Sequence, residues 1–208
     1  AFVVDTVGDV VTEALNQGTD TVYSGITYIL GANVENLVLT GTGVINGTGN
    51  SLNNSLTGNN ANNILNGGAG ADTMIGGQGN DIYVVDNVGD VVTELENEGI
   101  DTVQTGRTHT IGAHLENLTL TGSAMIDGTG NSLDNTLRGN SAANVLTGGA
   151  GNDMYVVGTG DTVGGDGGSG WGVFNGQYTA QAAAWTATAP VTTTAGLVFT
   201  VYCSLDAF

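Results

Sequence analysis

Basic side chains are almost missing from this sequence. Its 208 residues include two arginines, Arg107 and Arg138, and no lysine, against 20 acidic residues, so the formal net charge is −18 at pH 7. A chain of this charge is repelled by the phosphates of nucleic acid and by anionic membrane surfaces. We therefore expect neither of these as a partner, and we expect cations to relieve the repulsion within the folded chain.

Cysteine and histidine are also scarce, and long apolar runs are missing. The single cysteine, Cys203, has no partner for an intrachain disulfide, and two histidines do not provide the Cys/His spacing of a zinc site. No stretch has the length and apolarity of a membrane-spanning helix. The motifs G-x-S-x-G and H-E-x-x-H, which mark common hydrolases, are missing as well. We therefore expect no enzymatic activity and no insertion into a membrane.

Glycine, by contrast, is abundant, and much of it falls in a nonapeptide pattern. The pattern is G-G-x-G-x-D-x-apolar-x, with two consecutive copies over residues 67–84 and a third over residues 148–156. Glycine at positions 1, 2 and 4 allows positive φ angles and a tight turn, and aspartate at position 6 adds a carboxylate to that turn. Backbone carbonyls and carboxylates are the hard oxygen ligands that Ca²⁺ prefers. The pattern therefore predicts calcium-binding turns.

These nonapeptides resemble the calcium-binding repeats of the RTX (repeats-in-toxin) family of secreted, hemolysin-type proteins. The resemblance implies an all-β fold, a right-handed parallel β-roll or β-solenoid, in which two nonapeptides form one coil. It also implies Ca²⁺ as the cofactor and export from the cell through a channel that reads a C-terminal signal. Carboxylates stacked about 4.8 Å apart repel each other unless a cation lies between them. Calcium would then be part of the fold.

Candidate calcium ligands follow from the motif and from the spacing of one coil. Asp72 and Asp90 are separated by two nonapeptides, so we expect them to share one ion. Asp81 needs a partner near residue 99; Asp101 is the nearest aspartate, which implies a two-residue bulge in the intervening turn. The predicted metal site residues of both repeats are motif glycines, turn asparagines and aspartates: Gly68, Gly70, Asp72, Gly77, Gly79, Asn80, Asp81, Asp86, Asp90, Asp101, Gly149, Gly151, Asn152, Asp153 and Asp161.

Position 6 and position 8 of the motif predict two different features. Position 6 is asparagine in four turns, at Asn54, Asn63, Asn135 and Asn144. A neutral amide can hydrogen-bond to its surroundings without a cation, so we expect those turns to hold calcium weakly or not at all. Position 8 is apolar throughout and predicts an inward ladder that fills the core: Leu56, Leu65, Met74, Tyr83, Leu137, Leu146 and Tyr155.

A longer repeat contains the short one. Residues 1–74 match residues 82–155 without a gap at an offset of 81, which is nine nonapeptides. We call this unit the long repeat. It predicts one solenoid over residues 1–163, made of the long repeats 1–81 and 82–162. The segments 19–39 and 100–120 are poor in glycine and rich in β-branched residues, so we expect wider coils there.

The repeat pattern fails from Gly164 onward. Residues 164–172 read as a glycine-rich linker, and residues 173–208 form a Thr/Ala/aromatic, β-prone segment. This segment could cap the open end of the solenoid or pair with a neighbouring copy, because an uncovered end is an exposed sheet edge. Its last residues, 204–208, also resemble the family's C-terminal export signal.

The sequence as a whole favours a secreted, non-catalytic calcium-binding β-solenoid with a structural role outside the cell or at the cell surface. Two alternatives remain open. One is the C-terminal calcium-binding and secretion module of a secreted protease, lipase or epimerase. The other is a polymerising subunit of an extracellular filament, surface layer or adhesin, in which copies of the chain stack end to end.

Overall fold

The structure, a computed structural model, describes residues 1–164 and the backbone of strands 170–174 and 199–203. These residues form short β-strands, and no helix occurs among them, so the all-β prediction is confirmed. The strands are β1 (Phe2–Val4), β2 (Thr21–Ser24), β3 (Tyr28–Ile29), β4 (Asn36–Leu39), β5 (Gly47–Thr48), β6 (Ser55–Thr57), β7 (Ile64–Asn66), β8 (Thr73–Ile75), β9 (Ile82–Val85), β10 (Val91–Thr93), β11 (Thr102–Thr105), β12 (His109–Thr110), β13 (Asn117–Leu120), β14 (Gly128–Thr129), β15 (Thr136–Arg138), β16 (Val145–Thr147), β17 (Met154–Val157), β18 (Thr162–Gly164), β19 (Gly170–Phe174) and β20 (Phe199–Cys203).

The chain divides into two compact units, the first made of residues 1–104 and 112–114. From β2 onward its strands alternate between two sheets along the chain. One sheet has the order β1-β2-β4-β6-β8-β10, and the other has the order β11-β9-β7-β5-β3. Neighbouring strands run parallel from β1 through β2, β4, β6 and β8 to β10, and from β3 through β5 and β7 to β9. Parallel neighbours reached by a return through a second sheet are the coils of a β-solenoid, as predicted.

The length of a coil follows from the strand register. Ser55 pairs with Thr73, and Thr73 pairs with Val91, so the glycine-rich coils that join β6, β8 and β10 are two nonapeptides long, as predicted. The coil that runs from Thr21 to its partner Asn36 is shorter than two nonapeptides. The coil before it, from Phe2 to Val22, is longer. The prediction of wider coils over residues 19–39 is therefore wrong for the coil that joins β2 to β4, which is narrower.

Corresponding strands of the two long repeats lie in different sheets of the first unit. Nine nonapeptides make four and a half coils, so a strand and its counterpart in the next long repeat are expected on opposite sheets. In the first unit β1 and β2 lie in the six-stranded sheet, and their counterparts β9 and β11 lie in the second sheet.

The core is the ladder of position-8 side chains. All seven predicted members are buried, with at most 3% of each residue exposed. In the first unit Leu56 lies opposite Met74 in one sheet, and Leu65 lies opposite Tyr83 in the other. Burying one large apolar side chain stabilises a fold by about 1.5–3 kcal/mol, so this ladder is the main apolar contribution of the glycine-rich coils.

The second unit contains residues 105–111 and the chain from Leu115 on. One sheet has the order β12-β14-β16-β18, and the other has the order β20-β19-β17-β15-β13. β19 pairs parallel with β17, and β20 pairs antiparallel with β19. β18 and β19 overlap the two ends of the predicted linker. Residues 165–169, 175–198 and 204–208, which carry most of the proposed cap, assembly and export segment, lie outside the described residues.

Candidate calcium site

The motif glycines serve two different purposes in the turns. The glycines at positions 2 and 4 have φ angles between 81° and 132°, a region that other residues rarely adopt: Gly68, Gly70, Gly77, Gly79, Gly149 and Gly151. The glycines at position 1 do not have positive φ, so that part of the prediction is wrong. A Cβ at Gly67 would instead collide with the Asp72 carboxylate, and a Cβ at Gly148 would collide with Asp153. The position-6 carboxylate occupies the space that a side chain at position 1 would fill, so position 1 is glycine.

Asp72 and Asp90 lie on consecutive turns of one side, as their spacing predicts. The Asp72 backbone N–H donates to Asp90 Oδ1 at 3.0 Å. Asp72 itself is fully buried; its Oδ1 accepts the Asn54 N–H at 2.7 Å, and its Oδ2 is buried without a hydrogen-bond partner. The second oxygen of Asp90 accepts the N–H groups of Asp86 and Asn87. At this turn Asp72 Oδ2 is therefore the oxygen that lacks a partner.

Asparagine at position 6 is satisfied by the protein alone. The Asn54 amide donates from Nδ2 to the carbonyls of Val34 and Glu35, at 2.9 and 3.1 Å, and its Oδ1 accepts the N–H of Asn50. The amides at the other three positions donate to backbone carbonyls in the same way: Asn63, Asn135 and Asn144. An ionised carboxylate has no proton to donate to these carbonyls, so hydrogen bonds satisfy an asparagine turn in a way that they do not satisfy an aspartate turn. That the asparagine turns hold calcium weakly or not at all stays a prediction.

The second turn of the motif brings three carboxylates together. The Asp81 N–H donates to Asp101 Oδ1 at 2.7 Å, which places the two residues on neighbouring turns across the predicted bulge. Glu94 joins them, so that oxygens of Asp81, Glu94 and Asp101 all lie within 4.8 Å of one another. All three residues are buried. Within the described residues this is the one such group of carboxylates.

Burial raises the pKa of three carboxyl groups in these turns. Burial is the main cause for Asp72, for Asp81, whose pKa rises to about 6, and for Glu94, whose pKa rises to about 7. The negative charge of Asp101 raises the pKa of Asp81 and of Glu94 further. The hydrogen bond from Tyr83 lowers the pKa of Glu94. Without a cation, the turns therefore resist full ionisation near pH 7.

The remaining predicted site residues are distributed more widely. Asp153 and Asp161 are buried and accept the N–H groups of Asn135 and Asn144 at 2.9 Å, which reproduces the Asp72 contact in the second unit. Asp86 is exposed. Asn80 is exposed as well, and its side chain accepts the N–H of Ile100. Asn152 is exposed and donates its N–H to Asp134. The structure does not bring these three side chains into the carboxylate cluster.

Glu94 was missed by the sequence reasoning. It lies beyond the complete copies of the nonapeptide motif, in a turn with three glutamates that reads as a solvated loop. One signal was available: Glu13 and Glu94 occupy the same place in the two long repeats, directly after a Val-Val-Thr tripeptide. Both glutamates are buried.

The oxygen atoms of these turns fit a hard divalent cation. Two like charges about 4.8 Å apart repel by roughly 3–4 kcal/mol at an effective dielectric constant of ~20. A buried charged oxygen without a partner costs at least about 1–3 kcal/mol more. A calcium ion would offset both terms and accepts six to eight oxygen ligands. In the first unit Asp72 would hold an ion at one turn, and Asp81, Glu94 and Asp101 would hold an ion at another.

Comparison with known protein families agrees with this chemistry. The RTX calcium-binding nonapeptide repeat (4 copies) matches residues 48–83 and again residues 129–164. Comparison with curated proteins and with solved structures gave no match. None of the described residues forms a helix long and apolar enough to cross a membrane. The matched stretches coincide with the coils that carry the position-6 and position-8 ladders, and the chain is thus one that carries the RTX family's calcium-binding nonapeptide repeats in a β-solenoid.

Proposed function

We propose that this chain is a secreted, non-catalytic β-solenoid that folds when it binds calcium and acts as a structural component outside the cell or at its surface. The observation that supports the calcium part most directly is the pair of buried carboxylate oxygens, on Asp72 and Asp81, that have no hydrogen-bond partner. Buried polar atoms normally have a hydrogen-bond partner, so two unpartnered carboxylate oxygens in these turns favour a ligand there.

The net charge supports coupling between calcium and folding. A charge of −18 opposes compaction, and the aspartate turns concentrate part of that charge in the interior. A ligand that binds only the folded chain stabilises it by about 2.7 kcal/mol per site at one hundred times its Kd. At the low calcium of a cytoplasm the chain would stay unfolded and exportable, and at the higher calcium outside the cell it would fold.

Isothermal titration calorimetry of the metal-free chain tests the binding step. Calcium chloride should give saturable heats with more than one ion bound per chain. Magnesium chloride should give much weaker binding, because Mg²⁺ requires a stricter octahedral geometry and loses water reluctantly. If calcium gives no heat at millimolar concentration, the proposal is wrong.

A further inference from the structure

Glu94 occupies the place that the motif reserves for glycine. Thr93 pairs with Ile75, so Glu94 follows β10 as Gly76 follows β8 and stacks on Gly76 in the next coil. A Cβ on Gly76 would collide with Asp81 Oδ2 and with the Tyr83 hydroxyl. The Glu94 side chain therefore lies one coil away from Gly76, a position at which even a Cβ would collide with its surroundings.

The turn after Glu94 is lengthened in a way that makes room for it. Ile75 and its partner Thr93 are separated by two nonapeptides. Asp81 and Asp101, which close the two turns, are separated by more than that. The turn over residues 94–101 is thus longer than the turn over residues 76–81. The added length lets position 1 carry a side chain without displacing Asp101 from Asp81.

The Glu94 carboxylate is held in one orientation. The Tyr83 hydroxyl donates a hydrogen bond to Glu94 Oε1. Glu94 Oε2 and Asp81 Oδ2 are both buried without a partner, in residues that are 5% and 1% exposed. Carboxylate oxygens of these two residues and of Asp101 belong to one group whose members lie within 4.8 Å of one another.

The buried glutamate recurs in the other long repeat. Glu13, the counterpart of Glu94, is 8% exposed, and its Oε2 is likewise buried without a partner. Asp20, which follows Glu13 in the same turn, is the counterpart of Asp101. The inward glutamate is therefore a property of the long repeat, in addition to the nonapeptide.

We propose that Asp81, Glu94 and Asp101 together hold one calcium ion, in a site that the nonapeptide motif does not encode and to which Glu94 contributes the additional ligand. This rests on the calcium-dependent fold proposed above. Affinity for Ca²⁺ rises with the number of charged ligands and with the rigidity of the site. Three carboxylates, one of them fixed by Tyr83, make this the site that fills first as calcium rises.

The first test compares Glu94→Gln with Glu96→Gln in the full chain. Glu96 lies in the same turn and is exposed, so its variant removes the same charge without touching the cluster. Calcium titrations in competition with a chromophoric chelator should show the same tightest site in the wild type and in Glu96→Gln. Glu94→Gln should weaken that site at least tenfold and leave the weaker sites unchanged.

A second test does not depend on the folding of Glu94→Gln. Terbium(III) occupies oxygen-rich calcium sites and luminesces when a nearby tyrosine is excited. The first terbium ion bound by the wild type should be strongly sensitised, and Tyr83→Phe should reduce that emission at least fivefold while the chain still binds calcium.

The outcomes of these tests distinguish the Glu94 site from the calcium-dependent fold proposed above. If the wild type binds no calcium, the calcium-dependent fold itself is wrong. If the wild type binds calcium but Glu94→Gln and Glu96→Gln have equal tightest affinities, the Glu94 site alone is wrong. Unchanged terbium emission in Tyr83→Phe would likewise overturn the Glu94 site.

Discussion

At the scale of the residue, one atom at motif position 6 decides whether a turn needs a cation. The Asn54 amide donates to two backbone carbonyls of the preceding turn, so this turn is complete as protein. Asp72 has no proton to donate, and its Oδ2 is buried without a partner. The aspartate turns therefore contain a buried negative charge that a cation can neutralise, and the asparagine turns contain no such charge.

The difference predicts opposite effects of two substitutions. Asp72→Asn should lower the number of bound calcium ions by one, because the site loses its buried charge. Asn54→Ala should leave that number unchanged, but should lower the free energy of unfolding in calcium by about 1–3 kcal/mol, since two carbonyls lose their donor. Native mass spectrometry counts the ions, and denaturant titration measures the stability. Equal ion losses in both variants would contradict the distinction.

The glycine at motif position 1 gives a steric prediction. Gly67 does not have a positive φ, but a Cβ there would meet the Asp72 carboxylate, so Gly67→Ala should destabilise the calcium-bound fold by about 1–3 kcal/mol. Gly43→Ala is the matched control, because Gly43 also lacks a positive φ, is exposed, and has only Ile45 near the added Cβ, at 3.9 Å. The control should change stability by less than about 0.5 kcal/mol. Equal thermal shifts in the two variants would show that the space beside Asp72 is not needed.

At the scale of the element, the turns between strands hold the titrating groups. In the folded chain without metal, burial raises the pKa of Asp81 from 3.8 to about 6 and that of Glu94 from 4.5 to about 7. Between the unfolded and folded pKa values the folded chain binds more protons than the unfolded one. Stability without metal therefore falls as pH rises through this window, and it is higher below about pH 4.5 than above about pH 7.

Protons should thus partly substitute for calcium. The metal-free chain should gain strand content as the pH falls from about 8 to about 5, and calcium affinity should fall over the same change, because protons compete with the ion. Circular dichroism at several pH values without metal measures the first effect, and competition titrations measure the second. Stability that rises with pH in the absence of metal would contradict the assigned direction.

The C-terminal strands give a further prediction at the scale of the element. β20 pairs antiparallel with β19, which places it at the edge of its sheet. If the segment is a cap, deletion of residues 191–208 should leave an open strand edge and produce larger particles in calcium, while the full chain stays monomeric. Light scattering measures the particle size. Filaments formed by the full chain and lost on deletion would instead support the polymerising subunit.

At the scale of the whole molecule, periodic features could be predicted from the sequence and the exceptions could not. The period of nine fixes the position-8 ladder and the coils of two nonapeptides, because each apolar side chain must point inward. The pairing of Asp81 with Asp101 was also predictable, since one aspartate lies near the expected position. The short coil between β2 and β4 and the inward Glu94 were not, because both depend on turns that depart from the period. Their geometry is set by packing between coils.

The central claim is that calcium is part of this fold, and a calcium titration of the metal-free chain followed by far-UV circular dichroism tests it most directly. The account predicts a largely disordered spectrum without metal at about pH 7.5, strand content that appears cooperatively as calcium is added, and little effect of equal magnesium. The unpartnered carboxylate oxygens of Asp72, Asp81 and Glu94 and the net charge of −18 are the reasons. A complete β-sheet spectrum in metal-free buffer at low ionic strength, unchanged by calcium, would contradict it.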